Sequence, residues 1–396
     1  METKNTPSRL LYIDNIRTFI VALVIIVHVS VTYGPVGLWY YYERSILPST
    51  YILGFFGSLN QAFFMGLFFM IAAYFILPSY SRKGASQFVT DRLKRLGIPL
   101  LFYIAVIGPF LLYMQTLIFR AEEVSFFSFY QNLKEIRFFS FYYDFIIKNV
   151  ILETGPLWFV QTLLIFTLMF IGVIQIIKKI KGQSSIYWNR DIDFPKNYML
   201  FISILLLASV TFLVRLRWPI GTAIKNLQLC FSPQYIFMFI AGIFCYVNNW
   251  FEKVGYRIAR VWLVILIIAI ISWPVIIFFS GAFEGADISI LAGGLYWQAF
   301  LYALWESVVC VSITIIIIYF FKKKLNYQNK LLKILSSSAY TVFIIHPLVI
   351  VPLSYSIMTV ELHPLIKFLI VVIAGVPLSF WIGNLIRKIP FLRKIL

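Results

Sequence analysis

Charge is what this sequence has least of. Only 13% of its 396 residues are charged and 61% are hydrophobic, where a soluble domain carries about 25% charged residues. Such a chain is neither a water-soluble domain nor a disordered one. Acids are scarcer than bases, 16 Asp and Glu against 34 Lys and Arg. The cations lie between the apolar runs rather than along one face, so nucleic acid is excluded as a partner and the lipid bilayer takes its place. Cysteine is sparse too. Cys230, Cys245 and Cys310 show no paired spacing and sit in or beside apolar runs, which excludes a disulfide framework and a thiolate metal site. There is no glycine-rich phosphate loop, so a nucleotide hydrolase is not indicated. Nor is there a cleavable leader: the first apolar run exceeds the about 7–15 residues of a signal core, and no A-x-A-like site follows it. Matching broken helices in two halves, the mark of many carriers, are missing as well.

Long apolar runs are what the chain has instead. About 20 such residues at ~1.5 Å rise cross ~30 Å of hydrocarbon. The pattern predicts an all-α polytopic membrane protein with ten transmembrane helices, a single domain over 1–396. The spans fall at about 16–33, 55–77, 98–119, 157–177, 198–214, 232–248, 261–279, 295–320, 338–360 and 365–386. Of the 34 Lys and Arg, 24 fall in alternate segments that include both termini, and nine on the other side, counting Lys367 at the outer end of the tenth span. That bias puts both termini in the cytoplasm of a multi-pass plasma-membrane protein. The outer stretch 120–155, rich in Phe and Tyr, suits a helix lying in the headgroup interface, and the outer loop 280–294 carries Glu284 and Asp287 without a cation.

Ionisable residues inside a span are candidates for function. His28 lies well inside the first run, eleven positions after Arg17 and fourteen after Asp14. At about 100° per residue all three share one face, Arg17 and His28 some ~16 Å apart along the axis. A neutral imidazole can take a proton from a hydroxyl. Arg17 reads either as an anion clamp at the cytoplasmic side or as an ion pair with Asp14 at i, i+3. Arg92 and Arg95 follow the second span; such a pair suits a polyphosphate held at the inner face, or serves orientation alone. His346 sits in the ninth run at a depth comparable to His28, in reach of the same cavity, or else bonded to a carbonyl freed by Pro347. Glu306, in mid-span, is either the orienter of His28 or a packing hydrogen bond. Glu153 and Trp158 mark the outer mouth of the fourth span. No metal ligand set is apparent, and no bound cofactor is expected.

These motifs together resemble the membrane-bound acyltransferase-3 family. YIDNIRTFIVALVIIVH is similar to its opening helix, with Arg17 and His28 at the Arg and His positions. Arg92-Leu-Lys-Arg95 is similar to its cytoplasmic Arg-x-x-Arg, GPLWF to its Trp-Phe at the fourth helix, and SAYTVFIIHP, with Tyr340 and His346, to its late Ser-Tyr…His-Pro signature. The HVSVTYG run looks most like the branch with glucan succinyltransferases of the OpgC/MdoC type. A C-terminal esterase-like domain, which some members carry, has no counterpart here, so this chain would complete the transfer itself. The resemblance implies O-acylation of an extracytoplasmic or lipid-linked carbohydrate, as in polysaccharide biosynthesis, with cytoplasmic acyl-CoA as co-substrate. Arg17, Arg92 and Arg95 would meet its phosphates. His28 would act as general base, or carry the acyl group covalently, with Asp14 or Glu306 setting its protonation. Tyr340, His346, Trp158 and Glu153 would line the cavity. The alternative is a carrier or flippase for a lipid-linked sugar or small anion. No protein partner is indicated.

Overall fold

A computed structural model of the chain describes residues 10–37, 39–120, 125–131, 154–182, 192–224, 227–281 and 289–394. Ten helices among them are long and apolar enough to cross a membrane: α1 (Leu11–Tyr33), α2 (Ser49–Tyr74), α3 (Ile76–Phe119), α4 (Gly155–Ile180), α5 (Asn197–Arg217), α6 (Leu229–Val247), α7 (Tyr256–Phe279), α8 (Trp297–Lys324), α9 (Lys330–Ser356) and α10 (Pro364–Arg387). No strand occurs among the described residues. The chain is therefore an all-α multi-pass membrane protein, the form a hydrocarbon solvent imposes on a backbone that must satisfy its own hydrogen bonds. Glu153, Glu284, Asp287 and most of the aromatic stretch 120–155 lie outside the described residues.

The bundle is built around α1, which packs against α2, α8, α9 and α10. Most of its residues are buried, on every side of the helix, so a polar group on it meets protein rather than lipid. Small residues let the surrounding backbones close in. A Cβ at Gly242 of α6 would strike the Met70 carbonyl of α2, and one at Gly383 of α10 would strike Val342 of α9.

Prolines inside the spans free carbonyls, because each lacks the N–H that the carbonyl four residues earlier expects. Three of these carbonyls are recovered by side chains. Pro99 frees Arg95 O, which accepts from the Tyr340 hydroxyl at 2.8 Å. Pro109 frees Ala105 O, met by the Tyr130 hydroxyl at 3.2 Å. Pro347 frees Phe343 O, met by His346 Nδ1 at 2.8 Å. Two π-turns in α3, Leu93–Gly97 and Tyr103–Ile107, lie beside the first two of these prolines. Arg95 thus lies in a π-turn of α3 and Arg92 immediately before it.

One cation changes place. Arg215 was expected in an outer connection, because the fifth apolar run ends at 214; the helix continues to Arg217 and carries Arg215 into the protein interior, 1% exposed.

Candidate active site

His28 and His346 meet. His28 Nδ1 lies 2.9 Å from the Val24 carbonyl of its own helix and 3.2 Å from His346 Nε2. His346 Nδ1 is held by Phe343 O. A carbonyl only accepts, so each Nδ1 carries the proton in the neutral state. His346 Nε2 then presents a lone pair to the His28 Nδ1–H, which it shares with Val24 O. This leaves His28 Nε2 as an unprotonated acceptor with no hydrogen bond to any described residue. The proline that frees Phe343 O therefore sets the tautomer of one histidine, and that tautomer sets the other. His346 is fully buried, while His28 keeps accessible surface.

The depth of the pair follows from the helix limits. Because α1 begins at Leu11, His28 lies seventeen residues in and five before the end, roughly 25 Å from the start. With the cationic side inward, this is the outer half of the span rather than its middle.

A third ring completes the pair. Trp39, in the outer connection between α1 and α2, folds back into the bundle and stacks on His28, ring centroids 4.1 Å apart and planes 26° from parallel. The connection is tied down along its length. Gln115 Nε2 donates to Trp39 O at 3.5 Å, the Tyr40 and Tyr103 hydroxyls are 3.1 Å apart, and Glu43 N donates to Thr32 O at 2.9 Å. Glu43 also accepts from Lys367 Nζ of α10 at 2.8 Å and from the Tyr41 hydroxyl at 2.7 Å. Burial, then the neighbouring Glu43 carboxylate, push the Tyr41 pKa well up, so its hydroxyl stays a donor.

At the cytoplasmic end three arginines converge. Arg17 rests over the Phe75 ring, its Cζ 4.6 Å from the centroid, and Arg92 rests over Phe88 at 5.0 Å. Arg92 feels the like charge of both Arg17 and Arg95. Arg17 also pairs with Asp14 at 3.7 Å, with its side chain 38% exposed, so the clamp and the ion pair are not exclusive. Tyr340 holds the Arg95 carbonyl, and six residues further along the same α9 comes His346. One helix therefore positions both the arginines and the upper imidazole.

Two expected partners of His28 are elsewhere. Glu306 does not orient the imidazole: its Oε2 is held by Arg215 Nη1 at 2.5 Å. The arginine that α5 carries inward supplies the countercharge a buried carboxylate needs. Asp14 is fourteen residues from His28, ~21 Å along the axis, and pairs with Arg17. A carbonyl and a second histidine do what was expected of a carboxylate. Trp158 lies 5.3 Å from Tyr235 by ring centroid and does not touch the histidines directly. Its neighbour Phe159 packs on Phe343 at 5.9 Å, which contacts His346. Trp39, Gln115, Arg215 and the Glu43–Lys367 pair were not anticipated; for Trp39 the available signal was the run WYYYER immediately after the first span.

Ten membrane-crossing helices holding an acceptor imidazole above a cluster of arginines define a multi-pass membrane protein with a polar interior site. A family model described as an acyltransferase domain, that of the acyltransferase-3 family, matches residues 10–384. The chain belongs to this family and is a membrane acyltransferase. No curated protein and no solved structure matches it.

Proposed function

We propose that this acyltransferase moves an acyl group from cytoplasmic acyl-CoA to a hydroxyl of an extracytoplasmic or lipid-linked carbohydrate, with His28 as general base, in the plasma membrane. The observation that carries the reading is the His28–His346 contact, which leaves Nε2 of His28 unprotonated and unpaired. A hydroxyl within reach gives its proton to that nitrogen while its oxygen attacks the thioester carbonyl. Collapse breaks the C–S bond, and the departing sulfur recovers the proton from His28. As the imidazolium forms, His346 Nε2 accepts from its Nδ1–H and spreads the charge. Acyl-CoA would bring its phosphates to Arg17, Arg92 and Arg95, whose planar forks suit them. From there to His28 is ~16 Å along α1, a gap the pantetheine arm would bridge. A carbohydrate acceptor is supported by the family resemblance and by the exposed aromatic side chains between α1 and α2 and at the start of α2, Tyr42 and Tyr51, since aromatic faces suit sugar rings.

The test is the purified chain in lipid nanodiscs with labelled acyl-CoA and a cell-envelope glycan extract, analysed by mass spectrometry. Label should appear as an ester on glycan with the wild type and not with His28→Ala. Glycan moved across proteoliposomes without modification would instead favour the carrier reading.

A further inference from the structure

We propose that the indole N–H of Trp39 is the donor that meets the acyl carbonyl oxygen as negative charge builds on it beside His28. The proposal rests on the acyl-transfer reading above and adds a catalytic residue to it.

Four observations carry it. Trp39 belongs to a connection between spans, where tryptophan ordinarily sits at the water boundary, yet it is 8% exposed. Its ring lies flat against His28, and nearly parallel to His346 at 6.3 Å. Its Nε1 is buried with no hydrogen-bond partner. A buried indole N–H usually finds one, and here Trp262 and Trp305 do, donating to Asn197 Oδ1 and Ala269 O respectively. Trp273 is the other exception, and it packs on Phe55 in a second hydrophobic cluster that does not include Trp39. Finally, the Trp39 backbone is fixed by Gln115, and its flanks by Tyr103, Thr32 and Lys367, so the indole is held in place before any ligand arrives.

With ring centroids 4.1 Å apart, the unpaired donor and the base belong to adjacent rings of one stack. Gln115, whose Nε2 holds the Trp39 carbonyl, leaves its own Oε1 buried and unpaired as well, so the region has spare capacity of both signs. A thioester carbonyl is a weak acceptor that becomes a strong one when the hydroxyl adds. Its π pair moves to oxygen as the new C–O bond forms and the hydroxyl proton passes to His28 Nε2. A fixed donor in a low-dielectric site favours that charged state over the ground state. When the C–S bond breaks, the oxygen returns to a carbonyl and the indole keeps its proton throughout.

Trp39→Phe keeps a flat ring against His28 and removes the N–H together with the five-membered part of the indole. Wild type, Trp39→Phe and His28→Ala are compared in the nanodisc assay with whichever of acetyl-CoA or succinyl-CoA the wild type uses. Loss of one such donor costs about 10²–10³-fold in kcat, with KM and acyl-CoA affinity expected to stay at wild-type values. Wild-type turnover by Trp39→Phe overturns the assignment while leaving acyl transfer intact. A wild type that transfers nothing removes the acyl-transfer reading and this proposal with it. Should the variant fold poorly, the wild-type chain labelled with ¹⁵N-indole supplies a second measurement, the Trp39 N–H resonance being assigned by elimination with single Trp→Phe variants at the other tryptophans. It should move downfield on addition of the dethia analogue, in which CH₂ replaces the thioester sulfur and the carbonyl remains. An unmoved resonance at saturation overturns the proposal.

Discussion

The Arg215–Glu306 and His28–His346 pairs both lie within the bundle, and they are built on opposite terms. Arg215 and Glu306 form a cation–carboxylate pair. They are 1% and 7% exposed at the side chain and 2.5 Å apart. Arg215 Nε also donates to Cys230 O at 3.3 Å, and the guanidinium is flanked by the rings of Phe231 and Tyr302. The pair is closed apart from Glu306 Oε1, which has no protein partner and borders a cavity of ≈ 10 Å³, about the room one water needs. His28 and His346 are neutral, joined by one shared N–H at 3.2 Å, and one ring keeps accessible surface. A buried ion pair leaves little freedom, because separating its members strands a charge. A neutral imidazole pair tolerates exchange of a proton or a ligand. The first arrangement suits holding helices together, the second suits chemistry.

That contrast can be broken from either side. The largest effect expected is on turnover: His28→Ala should lower acyl transfer by about 10²–10⁴-fold while the thermal melt in detergent stays near wild type. Retained turnover would remove His28 from the reaction. Arg215→Ala should do the reverse and destabilise the fold by about 3–5 kcal/mol, seen as a lowered melt and poor yield. Replacing both members, Arg215→Met with Glu306→Leu, should recover much of that loss, since an apolar pair of similar volume carries no stranded charge. A double variant as unstable as the single one would mean that the pair does more than balance charge.

Smaller effects sharpen the picture. Arg92→Ala with Arg95→Ala should weaken acyl-CoA binding by about tenfold or more, from the ~1.5–3 kcal/mol of each charged hydrogen bond; an unchanged calorimetric Kd would contradict the clamp. His346→Ala leaves His28 bonded only to Val24 O and should lower kcat about 10–100-fold, as loss of an orienting partner does at other histidine sites. Equal loss in kcat and in protein yield would assign it a packing role instead. Least of all, Tyr340→Phe deprives the Arg95 carbonyl of its donor and should cost about 1 kcal/mol, read in the melt together with a modest rise in the acyl-CoA Kd.

Several of these residues could be read from the chain and several could not. The ten spans were legible because a run of apolar residues in lipid has one economical conformation. The shared face of Arg17 and His28 was legible because helix periodicity is local. That His346 bonds the carbonyl freed by Pro347 was one of two readings open to it; the contact with His28, the other, also occurs, and neither excludes the other. The orienter of His28 was not legible. Glu306 met the description of a buried acid, but the countercharge that holds it comes from a residue that the apolar run seemed to leave outside the membrane. Trp39 was equally hidden, because the aromatic run WYYYER marks the connection but does not say whether it folds inward or faces water.

What the order of residues alone determined is the number of spans and which groups each helix carries on one face. Both follow from local periodicity and from the cost of charge in hydrocarbon. Which imidazole meets which ring, and which arginine claims which carboxylate, was decided only when the helices packed. Those pairings depend on rotation and depth between segments up to 318 positions apart, and on carbonyls that prolines release into the space between them.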